Sequence, residues 1–507
     1  MPAGRVLLAL ALIVVGIGAA RWWPRTVDDA YITFRYADNL VAGHGPVFNP
    51  GERVEGCSSP LWMTGSALLI AIGLDPVAGS KSGGLLASWV LVGLCYRTVR
   101  RSGVSAAGAG VAALLLGSSL VLQIWSVAGM ETNAYALLVF AGLVALTQGP
   151  LTRRAALVAS LALVAAASTR PEGVGLWVLG SLVPWVAGER RLRAGSAYLL
   201  PGAILAGYVL WRLGFYGDWW PNTYYAKTGG GVAMWKQGLD GLRLFVTHPA
   251  HAPWLVAAAI GGALALRSAG HVRQVLVHGA AVGAHLLWIV SVGDDGLRVH
   301  RFYVPVLAPL ATLSGFVFLP ALERRFDRAL ARSAMALAAI AIVVSLSTFH
   351  LRMVPEMRRA LDYQRGNIAL GRHLADHYPG ESIAVAAAGA IPYYSGAPTI
   401  DMYGLNDAHI ARRPFAADQP GRMMKWDNAY VLARRPRFIV INRGYLAPGD
   451  RLAERVLRDP RLLAVSALDR DLFRRVVSDG GYVPRLLELD GGAGFVVFER
   501  RPGRERR

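Results

Sequence analysis

The chain is 507 residues long, 54% hydrophobic and only 17% charged, with a mean hydropathy of +0.38. That is too apolar for an ordinary soluble enzyme and points to a polytopic membrane protein. The formal net charge of +20 would suggest nucleic acid in a soluble protein. Here the basic residues cluster in short loops between apolar runs, where orientation in a bilayer explains them, so no nucleic-acid partner is expected.

Residues 6–20 form the first apolar run, after Arg5 and before Trp22 and Trp23. A tryptophan pair at that place reads as an interfacial belt on a retained transmembrane helix rather than the end of a cleaved signal. Directly after it comes "VDDAYITFRYADNLVAGHGPVFNPGERVEGCSSPLW", Val27 to Trp62, which sets Asp28 and Asp29 side by side next to the membrane. Further apolar runs fall near 80–97, 104–124, 132–149, 155–168, 174–187, 195–214, 252–266, 274–292, 302–320 and 331–349, making eleven predicted spans with the first.

The run 60–74 is short of the roughly 20 residues a span needs. With a cytoplasmic amino terminus and 60–74 left uncrossed, Arg97/Arg100/Arg101, Arg153/Arg154, Arg190/Arg191/Arg193, Arg267/Arg273 and Arg324/Arg325/Arg328 all fall inside. If 60–74 crossed, every one of them would move outside, against the positive-inside rule. We therefore predict an interfacial helix over 60–74. The same topology leaves only Glu189, Glu323 and Asp327 inside and sends the other acids before residue 350 outside, so the polar and candidate catalytic face is the external one.

After His350 the long apolar runs stop and charges become frequent. We divide the chain into a transmembrane domain, 1–349, and an external soluble α/β domain, 350–507. The candidate catalytic external loops are 21–79, 215–251 and 293–301. In the soluble part "SIAVAAAGAIPYYSG", "PTIDMYG", "PRFIVINR" and "GFVVFER" read as short buried strands, with "LDYQRGNIALGRHLADHY" among the intervening helices. The AAAGA turn lacks the full glycine fingerprint of dinucleotide binding. Cys57 in a loop and Cys95 inside an apolar run predict neither a disulfide nor a metal cluster. Four lysines against forty-nine arginines read as coding bias rather than chemistry.

One role for Asp29 is to cap the helix that runs through "AYITFRYADNLVA" and ends at Gly43. One cap does not use two adjacent carboxylates, which face different directions on a helix, so one is left for chemistry. A carboxylate at the mouth of a membrane cavity, desolvated and beside a like charge, acts as a general base toward a hydroxyl. The other external loops supply cations, amides and aromatics: Arg170 and Glu172 in "STRPEG"; Asp218, Asn222, Tyr224, Tyr225 and Lys227 in "GDWWPNTYYAKTG"; Asp294, Asp295, Arg298, His300 and Arg301 in "VGDDGLRVHRFYVP". Structural roles compete for these too: Trp219 and Trp220 as interfacial anchors, Arg170 as a partner of Glu172, Arg298 or Arg301 against lipid headgroups.

At these residues the chain resembles a known family. "DDAYITFRYADNLVAGHGPVFNPGERVEG.SSPLW" is similar to the first external loop of the multi-pass GT-C type glycosyltransferases that use polyprenyl-phosphate sugars, most closely the terminal β-arabinofuranosyltransferases of mycolate-type cell walls. "TRPEG", "PNTYYAK", "HRFYVPVLAPL" and "GAIPYYSGAPTIDMYGLNDAHIAR" continue the likeness in order, over most of residues 25–445. Cys57 departs from it, standing where the relatives commonly carry an aromatic.

The resemblance implies a GT-C type fold of about eleven transmembrane helices plus an interfacial helix. It implies transfer of a sugar, arabinofuranose, from a polyprenyl-phosphate donor to a cell-wall polysaccharide acceptor at the external face of the cell membrane. Asp28 or Asp29, preferably Asp29, becomes the general base. Lys227 and Arg301 would meet the leaving phosphate, with Arg170 and His300 as weaker candidates. Tyr31 and Arg35 would line the same cavity, and Asn222, Tyr225 and Glu172 would bind substrate. No cofactor is implied with certainty; Asp28, Asp29, Asp294 and Asp295 are the candidate ligands for a divalent cation. Two alternatives are a lipid-linked-sugar transporter or flippase, which would carry ionisable residues within its spans, and a non-catalytic glycan-binding membrane protein, which would leave the aspartate pair idle.

Overall fold

The computed structural model describes residues 3–186, 195–248, 251–293, 299–318, 359–415, 425–449 and 452–501. Every predicted span within these residues is helical, and the run 331–349 lies outside them. Among the described residues five helices are long and apolar enough to cross a membrane: Ala3–Trp22, Pro76–Arg101, Ser196–Tyr216, Val272–Val292 and Arg301–Phe318. The pair Ala106–Gly117 and Leu120–Ser126, bent by 59°, would make a sixth. The helices Thr132–Thr147, Gly173–Val186 and Ala252–Ala265 are apolar but shorter. Pro60–Ala71 has 12 residues, roughly 18 Å at 1.5 Å per residue, too short to cross a bilayer.

Small residues set the closest helix approaches. A Cβ on Gly4 would collide with the Ala106 backbone, and one on Gly117 with that of Ala11, so the first helix and Ala106–Gly117 pack at near-backbone distance. The helix Asp28–Val41 begins beside this bundle. The Val27 amide donates to the Ala128 carbonyl (3.0 Å), and Trp62 Nε1 donates to the Gly129 carbonyl (3.2 Å).

The carboxyl-terminal part is a six-stranded sheet: β1 Ile383–Val385, β2 Thr399–Asp401, β3 Phe438–Val440, β4 Tyr445–Leu446, β5 Tyr482–Leu489 and β6 Ala493–Arg500. The order is β2-β1-β3-β6-β4, with β5 also on β6; β1, β2 and β3 are parallel, and β6 is antiparallel to β3, β4 and β5. The four segments read as strands hold β1, β2, β3 and β6, whereas β4 and β5 were not foreseen. "SIAVAAAGAIPYYSG" is strand only over Ile383–Val385; its second half is the short helix Ala390–Ser395.

Side chains alternate across the sheet. Ala384, Ile439 and Val496 face Leu468, Leu472 and Phe473. Ile383, Val385, Phe438 and Val440 face Leu370 and Leu374, and this second cluster runs on without a break into Ile32, Tyr36 and Phe48 of the Val27–Trp62 stretch and Met63 beyond it. One hydrophobic core thus joins the sheet to the amino-terminal helices. Chain connections leave β1 on both sides, so the strand order reverses between β1 and β3, and the carboxyl ends of these strands form a crevice that opens toward Asp28–Val41.

Candidate active site

A cavity of about 1940 Å³ lies between the helices and the sheet. Its helical wall carries Asp28, Asp29, Ser58, Arg170, Glu172 and Lys227; its other wall carries Ala387, Asp401 and Asn442 at the carboxyl ends of β1, β2 and β3.

Neither aspartate caps its own helix. The N-cap of Asp28–Val41 is Val27, without a side-chain cap, so the capping role expected for Asp29 is not what the carboxylate does. Successive helical residues diverge by about 100°, and the two side chains go to different partners. Asp28 reaches the sheet domain: its Oδ2 accepts from the Gly389 amide (2.9 Å), and its Oδ1 accepts from the Ala390 amide (3.1 Å) and from Asn367 Nδ2 (3.2 Å). These amides begin the helix Ala390–Ser395, so Asp28 caps a helix in another part of the chain. Burial, reinforced by Asp29 and opposed by the three hydrogen bonds, pushes the Asp28 carboxyl up to about 6. Asp29 lines the cavity, and its carboxylate has no hydrogen-bond or ion-pair partner among the described residues.

Arg35 holds the far end of the same short helix. Its guanidinium donates to the carbonyls of Pro392, Ala397 (2.8 Å) and Phe48 (2.7 Å) and to Asn49 Oδ1 (3.1 Å). Asn49 in turn exchanges hydrogen bonds with the Thr399 backbone at 2.8 and 3.1 Å. Arg35, expected along the cavity, is therefore a buried clamp. Tyr31 is 1% exposed and packs against Phe34, Tyr393 and Tyr394, with ring centroids 5.6–5.7 Å away.

The other candidates divide in the same way. Asn222 is buried and donates to the Gly404 and Leu405 carbonyls, both at 2.9 Å, fastening its loop to the sheet domain. The Tyr225 hydroxyl donates to Asp218 (2.5 Å), and Asp218 is ion-paired with Arg412. Glu55 and Arg212 form a buried ion pair (2.5 Å); burial outweighs the arginine and pushes the Glu55 carboxyl up to about 7. Arg301 is 4% exposed and sits over the Trp125 and Phe302 rings, behind Phe302 rather than on the cavity wall itself. His300 is packed among Phe245, His251 and Tyr303, and burial brings it down to about 4. At neutral pH it is an uncharged ring off the cavity wall.

Arg170 does line the cavity, but between two acids: it pairs with Glu172 and with Glu131 (2.8 Å). The trio carries a net charge of −1, so Arg170 has no positive field to spare for a phosphate. Asp294, Asp295 and Arg298 lie outside the described residues, and among the described residues no three His, Cys, Asp or Glu side chains gather as a metal site. Asp401 was missed in the sequence. Burial pushes it up to about 6 while it accepts from the amides of Tyr403 and Asn406 (3.0 and 2.9 Å) at the end of β2. The one signal for it was position, the last residue of a short buried strand.

A family model described as "Domain of unknown function (DUF8728)" matches residues 355–482. The chain is 27% identical to a terminal beta-(1->2)-arabinofuranosyltransferase of Corynebacterium glutamicum over 60% of this chain and 50% of that protein. It is 30% identical to a protein of the same description from Mycobacterium tuberculosis over 46% of this chain and 39% of that one. The chain thus matches half the length of these relatives or less. Among solved structures, ArnT from Cupriavidus metallidurans bound to undecaprenyl phosphate superposes with a TM-score of 0.54 at 15% identity, covering 97% of both chains. Archaeal oligosaccharyltransferase AglB from Archaeoglobus fulgidus, in complex with an inhibitory peptide and a dolichol-phosphate, gives a TM-score of 0.50 at 10% identity over 98% of this chain and 74% of that one. The fold is that of a GT-C type membrane protein.

Proposed function

We propose that the chain is a membrane glycosyltransferase that moves arabinofuranose from a polyprenyl-phosphate donor to a hydroxyl of a cell-wall glycan. The observation that carries this is Asp29: an unpartnered carboxylate on a cavity wall, next to an aspartate fully engaged elsewhere. The similarity to terminal arabinofuranosyltransferases supports the sugar and the glycan acceptor. The undecaprenyl phosphate bound to ArnT and the dolichol-phosphate bound to AglB support the donor class.

Asp29 takes the proton of the acceptor hydroxyl as its oxygen bonds to the anomeric carbon. The bond from that carbon to the phosphate oxygen breaks, and the phosphate leaves with the electron pair and one added negative charge. Lys227, on the cavity wall, meets that charge; Arg301, Arg170 and His300 are dropped from this role. Glu172, held by Arg170, accepts from a sugar hydroxyl. At about 1940 Å³ the cavity exceeds the roughly 300–1,000 Å³ of ordinary ligand sites, which suits a donor head group together with a stretch of acceptor glycan. We assign the acceptor to the sheet-domain wall at Asp401 and Asn442. We assign this cavity to the external face, a reading the positive-inside pattern of the loop arginines supports.

The test is transfer of radiolabelled arabinose from synthetic polyprenylphosphoryl-arabinofuranose to an arabino-oligosaccharide by the purified full chain. Transfer by the wild type, lost in Asp29→Asn with folding and donor binding intact, is the expected result. Full activity in Asp29→Asn would remove the base assignment, and an inactive wild type with every polyprenyl-phosphate sugar tried would remove the reaction class.

A further inference from the structure

The chain has four lysines, Lys81, Lys227, Lys236 and Lys425, among fifty-three basic residues. Two of the four, Lys227 and Lys425, line the cavity. Lysine presents a compact ammonium where arginine presents a broad fork, so coding bias does not account for lysines at these two places.

Lys425 is 7% exposed and comes from the sheet domain. Its Nζ donates to the Ala411 carbonyl (2.9 Å) and to the Tyr225 carbonyl (2.6 Å), and it lies 4.9 Å from the Phe415 ring centroid. Tyr225 is in the short helix Asn222–Lys227, two residues before Lys227, so the two ammonium-bearing chains meet on one segment. No carboxylate pairs with Lys425 among the described residues; the nearby Asp427 is taken by Arg413 and His409. A buried cation without a counter-charge is costly unless an anion arrives to match it. The carbonyls fix two of its three N–H donors and leave the third for a ligand.

We propose that Lys425 is a second cation for the phosphate of the lipid donor, supplied by the sheet domain alongside Lys227. This rests on the polyprenyl-phosphate reading above. The donor is a phosphodiester monoanion and the departing lipid phosphate a dianion, so a fixed ammonium binds the product head group more tightly than the donor and favours the bond-breaking step.

The experiment uses the full chain in nanodiscs and measures binding of polyprenyl monophosphate, the matching polyprenyl alcohol and inorganic phosphate. Lys425→Cys, made in a background in which the two native cysteines, Cys57 and Cys95, are serine, is tested before and after aminoethylation, which rebuilds an ammonium of lysine length. The wild type is expected to prefer the phosphate over the alcohol. Lys425→Cys should bind the phosphate about 10- to 100-fold more weakly, with the alcohol unchanged, and aminoethylation should restore the difference, which a misfolded variant would not do. A Lys425→Cys variant that keeps the full preference, or loses it without rescue, overturns the role of Lys425 and leaves the lipid-phosphate reading standing. A wild type without preference overturns that reading and this inference together. Inorganic phosphate binding as tightly as the lipid marks a free-anion site and overturns the assignment to the donor.

Discussion

The Asp28 carboxylate accepts the Gly389 amide at 2.9 Å across 361 residues of sequence. In doubly wound folds the turn after the first strand presents backbone amides to a bound phosphate. Here the equivalent turn after β1 presents them to a side chain of the same protein. With Arg35 on the carbonyls of Pro392 and Ala397, the helix Ala390–Ser395 is held by an acid at its amino end and a base at its carboxyl end, as its dipole favours. The sheet domain is thereby locked to the helix that carries Asp29.

The two aspartates should separate on mutation. Asp29→Asn is expected to lower the transfer rate by about 10²- to 10⁴-fold, the usual range for loss of a general base, with an unchanged thermal midpoint. Asp28→Ala leaves the Gly389 and Ala390 amides without their acceptor and should weaken docking by about 1.5–3 kcal/mol. Limited proteolysis between the helices and the sheet domain would register the second change and not the first.

Gly389 tolerates no side chain. A Cβ there would collide with the Asp28 carbonyl oxygen and crowd its carboxylate. Gly389→Ala should cost about 1–3 kcal/mol of stability and, by shifting the Asp29 helix, about 100-fold in transfer rate. Gly279→Ala, with nothing within 4 Å of the added carbon, is the control and should leave both unchanged. Equal effects of the two would argue against docking through Asp28.

Acidification should move stability and activity in opposite directions. Asp28, Glu55 and Asp401 have folded-state pKa values raised to about 6, 7 and 6, above their unfolded values. Between about pH 4 and 7 the folded chain therefore binds more protons than the unfolded one, and stability falls as pH rises through that window. From pH 7.5 to 5.5 the thermal midpoint should rise, while transfer falls as Asp28 takes up its proton and its hold on Gly389 and Ala390 weakens. A midpoint and a rate that fall together would contradict this.

Arg170 should behave as a structural cation rather than a phosphate ligand. Arg170→Gln leaves Glu131 and Glu172 buried without a counter-charge, which should destabilise by about 3–5 kcal/mol. Adding Glu131→Gln should recover part of that loss. Differential scanning fluorimetry of the single and double variants measures both, and polyprenyl-phosphate binding should weaken far less in the double variant than in Lys227→Gln.

Hydrophobic run length made the helices of the membrane part legible from residues alone, because spanning a bilayer is a local demand on about twenty consecutive side chains. The strands β1, β3 and β6 were legible for a similar reason, each carrying a run of consecutive apolar residues, and β2 was legible from its place between turn residues. The polar strand β5 was not, since Pro484, Arg485 and Glu488 interrupt any apolar pattern and its place is set by eight pairings with β6. The Val27–Trp62 stretch was legible as a candidate site from its adjacent aspartates. Tertiary structure alone decided the division of labour within it: Asp28, Arg35 and Asn49 fasten the sheet domain, Asp29 faces the cavity, and Arg301 and His300 face neither. Those outcomes depend on hydrogen-bond partners more than three hundred residues away, and on which face of a helix meets them, and neither is encoded in local spacing.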